Sequence, residues 1–436
     1  MQRYPRPPRR STTPILLLLA LPSVWAPRAA AAQAEPVAVT AARMLDVESG
    51  RLVTGAHVVV RDGRIERVTD RAPAGMRVID LGDATLLPGW IDTHVHLTSL
   101  LGPESFIEPV RETAADAALR GAAHARRTAE AGFTTVRNVG APAFTDVALA
   151  RAVERGDIIG PHIIPAGHSL GITGGHCDQT GWRPGVLELD WRDGIVDGPW
   201  DAVRAVRYQA KHGAEVIKIC ATAGVLSFEE SVGAQQFSEE ELRAIVEEAA
   251  RHGMKVAAHA HGTEGIIAAV RAGVASIEHG SILDDTAIRL MKERGTYLVP
   301  TQYLADVIPL DALPAPIRAK AEHVLPIMKQ SFRRAVRAGV KVAFGTDAGV
   351  YPHGENAREF AAYVAAGMTP LEALRSATLH AADLLGVDDR GVLAAGRLAD
   401  LVAVPGDPLR DIRVTERPVF VMVGGRVVKG PDGAGS

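Results

Sequence analysis

Apolar residues follow two rhythms along this chain. From Pro36 to Leu87 they come in short alternating runs, His57–Val60, Arg64–Val68 and Met76–Leu81, broken by turns at Asp62-Gly63 and Gly82-Asp83. That is the pattern of half-buried strands. The same texture returns only in Asp400–Val404 and Pro418–Val428, where Gly424-Gly425 suits a hairpin turn. Neither end has enough strands to bury a face alone, so residues 35–85 and 395–436 are expected to join in one small β-sandwich.

Between these ends a longer unit recurs: a segment of helical period, a glycine, then a β-branched run. Gly132, Gly213, Gly253, Gly273, Gly295 and Gly339 occupy the junction, where a left-handed residue stops a helix and turns the chain into a strand. Helix starts are equally legible. Ser238 with Glu241 makes a capping box, and Thr369-Pro370 with Glu372 supplies an N-cap, an N1 proline and an N3 acid. Eight strands are predicted: Leu86–Val95, Thr134–Val139, His162–Ala166, Glu215–Ala221, Lys255–His259, Ser276–His279, Thr296–Thr301 and Lys341–Asp347. Eight strands alternating with helices point to an α/β chain with a (β/α)8 TIM barrel over residues 86–394, its working residues at the strand C-termini. No Gly-rich phosphate loop follows the first strand, which argues against an open doubly wound sheet.

Composition narrows the partners. A chain of 436 residues that is 47% hydrophobic can bury a large core, and a formal net charge of −3 with dispersed Lys and Arg offers no stripe for a nucleic-acid backbone. A small molecule or a copy of the chain is the expected partner. The N-terminus breaks the pattern: Arg3, Arg6, Arg9 and Arg10 precede an apolar run, Pro14–Leu21, and a small-residue tract, Arg28–Ala34. That order reads as a cleaved signal peptide over residues 1–34, which places the mature protein in the periplasm or outside the cell without a stable membrane anchor. The Arg9-Arg10 pair leaves twin-arginine export open. Two cysteines, Cys177 and Cys220, are too few for a disulfide framework and leave a single bridge undecided.

Several strand ends deliver chemistry. His94 and His96 lie two apart, so on a strand both face the same way and can grip one ion. Lys218 sits in an apolar strand where a free ammonium is costly to bury. It is either half of a buried ion pair or an amine that reacts with carbon dioxide to give a carbamate able to bridge two cations. His259 and His279 each end an apolar run, and Asp347 is a carboxylate whose burial asks for a cation or donors. Singly, each also fits a structural role. His212 and His252 precede helix-ending glycines and His124 and His380 lie within helices, so none of the four reads as a ligand.

In this order on these strands, the set resembles the amidohydrolase superfamily over nearly the whole chain after the signal. The similarity extends to the Pro88–Asp92 approach, the Thr369–Leu385 helix and the Gly396–Asp400 re-entry. Within it, His168–His176, Ala258–Gly262 and Ile277–Gly280 are most similar to the Xaa-Pro dipeptidase and lysine/arginine carboxypeptidase group and to ochratoxin-hydrolysing amidases. The resemblance implies two divalent ions: one held by His94, His96, carbamylated Lys218 and Asp347, the other by Lys218, His259 and His279. Zinc suits imidazole and oxygen ligands, with manganese or cobalt as substitutes.

It further implies a metal-bridging hydroxide that hydrolyses the amide bond to a C-terminal amino acid, in a dipeptide, N-acyl amino acid or ochratoxin-type aroyl-amino acid, with Asp347 moving the proton to the leaving amine. Ser99, His168, His176 and His261 are the candidates to meet substrate. The Gly-rich loop Leu170–Pro199, with Trp182 and Trp191, is the candidate lid. The resemblance also implies a homo-oligomer, an octamer among the forms it covers. A lactonase, cyclic amidase or deaminase on the same barrel is the competing reading; the deaminase branch commonly uses one metal and lacks a strand-four carbamate, so Lys218 argues against it.

Overall fold

The two strand-rich ends meet in one sheet, because Ala84–Pro88 pairs antiparallel with Leu401–Pro405 over its whole length. That sheet has six strands, in the order Arg426–Lys429, Phe420–Val423, Leu401–Pro405, Ala84–Pro88, Arg43–Asp46, Arg51–Thr54. A second sheet of four strands has Val37–Thr40 between His57–Arg61 and Arg77–Asp80, with Arg64–Thr69 outside. Inward residues of both, among them Val39, Val58, Ile65, Leu86, Leu401 and Phe420, form one apolar cluster. The Gly424-Gly425 hairpin turn is present, both glycines at positive φ. The computed structural model describes residues 35–229 and 231–430; the signal segment expected over residues 1–34 lies outside them. Among the described residues no helix is long and apolar enough to cross a membrane.

The predicted first strand, Leu86–Val95, is two strands. Ala84–Pro88 belongs to the six-stranded sheet and Trp90–Val95 to the central domain. Gly89 sits at the break because a Cβ there would lie 2.2 Å from Thr134 Oγ1. The chain thus passes from one sheet to the other through a point of close backbone approach.

Seven further strands are parallel and buried. Trp90–Val95, Phe133–Asn138 and His162–Pro165 form one sheet; Val216–Cys220, Lys255–Ala260, Ser276–His279 and Tyr297–Val299 form another. Helices alternate with them in a TIM-barrel-like α/β arrangement, and all six junction glycines take positive φ. The capping boxes at Ser238 and Thr369 are formed, with a third at Thr113 and Asp116.

Lys341–Asp347, read as the eighth strand, is extended but is not a regular ladder strand. It changes partners midway: Lys341 O accepts from Leu298 N, Phe344 N donates to Ser376 O, and Phe344 O accepts from Thr93 N. Isolated parallel bridges join Leu298 to Val342, Val95 to Ala348 and Leu170 to Ile219.

Candidate metal centre

All six side chains expected to hold metal line one inner cavity of about 310 Å³. His94 closes on Asp347, with Nε2 3.3 Å from Oδ1, and His96 Nε2 is 3.3 Å from the same oxygen. His279 joins them: one donor atom each from His94, His279 and Asp347 falls within 4.8 Å of the others. The imidazoles form a continuous array, with ring centroids 5.1 Å apart between His94 and His279, 4.8 Å between His279 and His259, and 4.2 Å between His259 and His176. Lys218 opens on the same cavity from the middle of Val216–Cys220 and is 4% exposed.

Three of the rings are aimed by a bond to the far nitrogen. His94 Nδ1 lies 2.8 Å from Glu278 Oε2, His279 Nδ1 2.9 Å from Thr301 Oγ1, and His96 Nδ1 3.4 Å from the Gly140 carbonyl. A carboxylate or carbonyl that accepts from Nδ1 fixes the tautomer whose Nε2 lone pair is free for a cation. Glu278 in turn accepts from Arg137 Nη2 at 2.8 Å, and both are fully buried. Asp92 performs the same service for the Asp347 segment, accepting from Thr346 Oγ1 at 2.6 Å and Asn356 Nδ2 at 2.9 Å.

The electrostatics of this wall follow from burial and close charge. Burial brings the Lys218 ammonium down to about 8, although Glu278 and Asp347 favour its charged form. Burial also lowers His259 and His279 well below the usual imidazole range and His96 to about 4, so these rings are neutral near pH 7. It would raise the acids, but Arg137 and His94 hold Glu278 at about 2, and His94, His96 and His279 hold Asp347 well below the usual carboxylate range. His259 Nε2 is buried with no hydrogen-bond partner. An orphaned imidazole nitrogen beside a deprotonated carboxylate and a depressed lysine is what a cation would satisfy, so the donor set fits one.

The backbone is strained at these strand ends. His279, Thr301 and Asp347 take φ of 68°, 46° and 59°, a left-handed region that non-glycine residues enter at a cost of order 1–3 kcal/mol each. Gly345 allows the approach, since a Cβ there would lie 2.2 Å from Val299 Cγ1 and 2.9 Å from His94 Cβ.

The residues expected to meet substrate divide. His176 and His261 line the inner cavity with the candidate ligands, their Nδ1 atoms each 2.7 Å from a serine Oγ, of Ser227 and Ser281 respectively. Ser99 and His168 line instead a larger outer cavity of about 630 Å³, which shares His96, Ser169, His176 and Gln179 with the inner one. His168 Nε2 is taken up by the Ala143 N–H at 3.0 Å. The Gly-rich loop supplies part of both cavities, and Cys177 within it is disulfide-bonded to Cys220, two residues from Lys218. Sequence reasoning missed Glu278, Arg137, Asp92 and Thr301. The first two carry the signal that marked Lys218, a charged residue inside an apolar strand.

Lys320 was also missed. It is 8% exposed on the helix Ala315–Ala338, and its ammonium donates to the carbonyls of Gly224, Ser227 and Glu229 at 3.0, 2.6 and 2.9 Å. This fastens the loop that carries Ser227, and with it His176. Gly224 completes the seat, because a Cβ there would lie 2.2 Å from the His176 ring.

Comparison with known proteins agrees with this geometry. The profile described as "Amidohydrolase family" matches residues 85–428. The chain is 34% identical to ochratoxinase of Aspergillus niger over 429 residues, covering 91% of this chain and 87% of that protein. Among solved structures, a Xaa-Pro dipeptidase with bound methionine in its active site superposes with a TM-score of 0.88 at 38% identity, covering 91% of this chain and all of that one. The crystal structure of A. niger ochratoxinase superposes with a TM-score of 0.79 at 31% identity, over 91% and 96% of the two chains. The strand-end imidazoles and carboxylate, their buried supports and these likenesses lead to one conclusion: the chain belongs to the amidohydrolase family and is a hydrolytic enzyme acting on C–N bonds.

Proposed function

We propose that the protein hydrolyses the amide bond to a C-terminal amino acid at a centre of two divalent ions, zinc by preference, held by His94, His96, Lys218 as a carbamate, His259, His279 and Asp347. One observation carries this reading: the six side chains share a single cavity in which His259 Nε2 has no partner and the Lys218 amine is depressed to about 8. The neutral amine fraction at neutral pH adds carbon dioxide, forming an N–C bond and releasing a proton, and the product is a buried anion that two cations can share. Bound ions would supply Lewis acidity at the scissile carbonyl and an activated water.

The chain's own residues do the rest. Asp347 is already deprotonated and accepts a proton from the attacking water, then passes it to the leaving amine. His176 and His261, each tied at Nδ1 to a serine, present Nε2 toward the substrate's carbonyl or free carboxylate. Relatives named ochratoxinase and Xaa-Pro dipeptidase, one of them with methionine in its active site, support an amino acid as the leaving group. The finer architecture we infer is a closed ring of eight strands, supported by the three bridges that join the two parallel sheets, beside a β-sandwich supported by the shared apolar cluster. Export after cleavage of residues 1–34 is supported by the Cys177–Cys220 disulfide, which an oxidising compartment preserves.

The test is Lys218→Ala. Loss of a ligand common to both ions should remove metal and reduce amidase activity by orders of magnitude while circular dichroism stays native. Near-wild-type metal stoichiometry and rate would end the carbamate reading, and full activity in chelated wild-type protein would end the metal reading altogether.

A further inference from the structure

Besides the imidazoles, the inner cavity is lined by a wall of different chemistry. Leu304 opens the short helix Leu304–Val307 and Ile308 caps its end, while Val324, Leu325 and Met328 come from the helix Ala315–Ala338. Positions 324, 325 and 328 share one helical face, and the loop fastened by Lys320 adds Val225 and Leu226. Asp347 is the one carboxylate among the described residues lining this cavity, and it is engaged with His94 and His96. Gln179 and Ser169 are neutral and sit where the inner and outer cavities meet.

A basic side chain entering this wall would lose its water and find no counter-charge, and an acidic one no cation; either is costly. A chamber of about 310 Å³ that also holds the metal-binding groups suits one residue, while the outer cavity of about 630 Å³ has room for a larger and more variable group. Its rim carries Glu108 and Glu112, both paired with Arg120, together with Phe106 packed on Phe228.

We propose that Leu304, Ile308, Val324, Leu325 and Met328 form the side-chain subsite for the leaving amino acid, and that it selects uncharged apolar residues of leucine, methionine or phenylalanine size over basic and acidic ones. This rests on the amide-hydrolase reading above and names its substrate class. It places the acyl group in the outer cavity, where charge is tolerated.

The experiment uses metal-loaded full-length protein and two substrate series. One holds the acyl group constant and varies the leaving residue over Leu, Met, Phe, Lys, Arg and Asp; the other varies the first residue of dipeptides ending in Leu. Binding of the free L-amino acids is measured in parallel by calorimetry. Apolar leaving residues should exceed Lys, Arg and Asp by about 100-fold or more in kcat/KM, with a weaker dependence on the first residue.

Met328→Ala should lower kcat/KM for the Met and Phe substrates about tenfold, and Met328→Glu should raise the Arg-to-Met ratio; thermal melting verifies that each variant is folded. Equal or better hydrolysis of Lys or Arg substrates, or discrimination that follows the first residue instead of the leaving one, overturns the assignment. If no amide is cleaved yet Leu, Met and Phe bind in preference to Lys and Arg, the amide-hydrolase reading fails and the subsite stands. If neither assay discriminates, the subsite is wrong. The wild-type series decides even if both Met328 variants fail to fold.

Discussion

The two walls of the inner cavity are built by different physics. On the strand-end wall three of the imidazoles are aimed by a partner: Glu278 on His94, Thr301 on His279, Gly140 on His96. On the helical wall Leu304, Val324, Leu325 and Met328 have no polar side-chain atom to aim and are placed by packing alone. Hydrogen bonds fix angles, which chemistry needs, whereas packing fixes shape, which specificity needs. A substitution on the first wall should therefore strike metal and turnover, and one on the second should redistribute substrates.

The hardest way to break this division is Glu278→Gln. The amide keeps the shape but loses the charge that faces both Arg137 and His94, so metal affinity or activity should drop about 10–100-fold, as for other supports behind a ligand. Arg137, 1% exposed, is left without its counter-charge, at a cost of about 3–5 kcal/mol in stability. The sign of the pH dependence is set by Glu278, whose carboxyl is held down in the fold from 4.5 to about 2. Its contribution is complete above about 4.5 and is lost as pH falls toward about 2. Melting temperatures of wild type and variant should thus converge on acidification. Wild-type metal content and melting in Glu278→Gln would erase the distinction between the walls.

These two walls were not equally legible in the sequence. His94, His96, Lys218, His259, His279 and Asp347 announce themselves because a polar residue at the end of an apolar run is a local signal. Glu278 and Arg137 carry the same signal, but their pairing joins strands 141 positions apart, and nothing local says that they face each other. The Lys341–Asp347 segment shows the limit on the fold side: its apolar run predicts a strand, while its partners, Leu298, Ser376 and Thr93, are set by tertiary packing. The helical wall is the least legible, because Val324, Leu325 and Met328 look like the core face of any amphipathic helix. Which of them meet a cavity instead of more core depends on the fold.

A smaller effect comes from the bond that spans both regions. Cys177 follows His176 in the loop and Cys220 follows Lys218 in its strand by two residues, and their disulfide closes a separation of 43 residues. Replacing both by Ser should cost about 2–4 kcal/mol of stability. The loop that brings His176 to the cavity would loosen, so KM should rise more than kcat falls. Thiol titration of the denatured, unreduced wild-type protein checks the premise; two free thiols would refute it.

The finest probe is Lys320→Met, because it loosens the helical wall without touching any group at the strand ends. Methionine keeps the length of the stem and stays on the same helical face, but the carbonyls of Gly224, Ser227 and Glu229 lose their shared donor. Burial lowers the Lys320 ammonium and the charge of nearby Glu229 favours it, while the three carbonyls accept its hydrogen bonds. A lost set of charged hydrogen bonds is worth about 1–3 kcal/mol locally, and the loop should open by that amount. Ser227 and its bond to His176 would follow. The expected result is a KM raised about tenfold, in line with 1.4 kcal/mol per decade, with kcat and metal stoichiometry close to wild type and faster amide exchange confined to residues 222–236. Lys320→Arg, which keeps the charge and adds donors, should recover part of the KM. A loss of metal from Lys320→Met would mean that the two walls are one mechanical unit, and that the division drawn between chemistry and specificity does not hold at this loop.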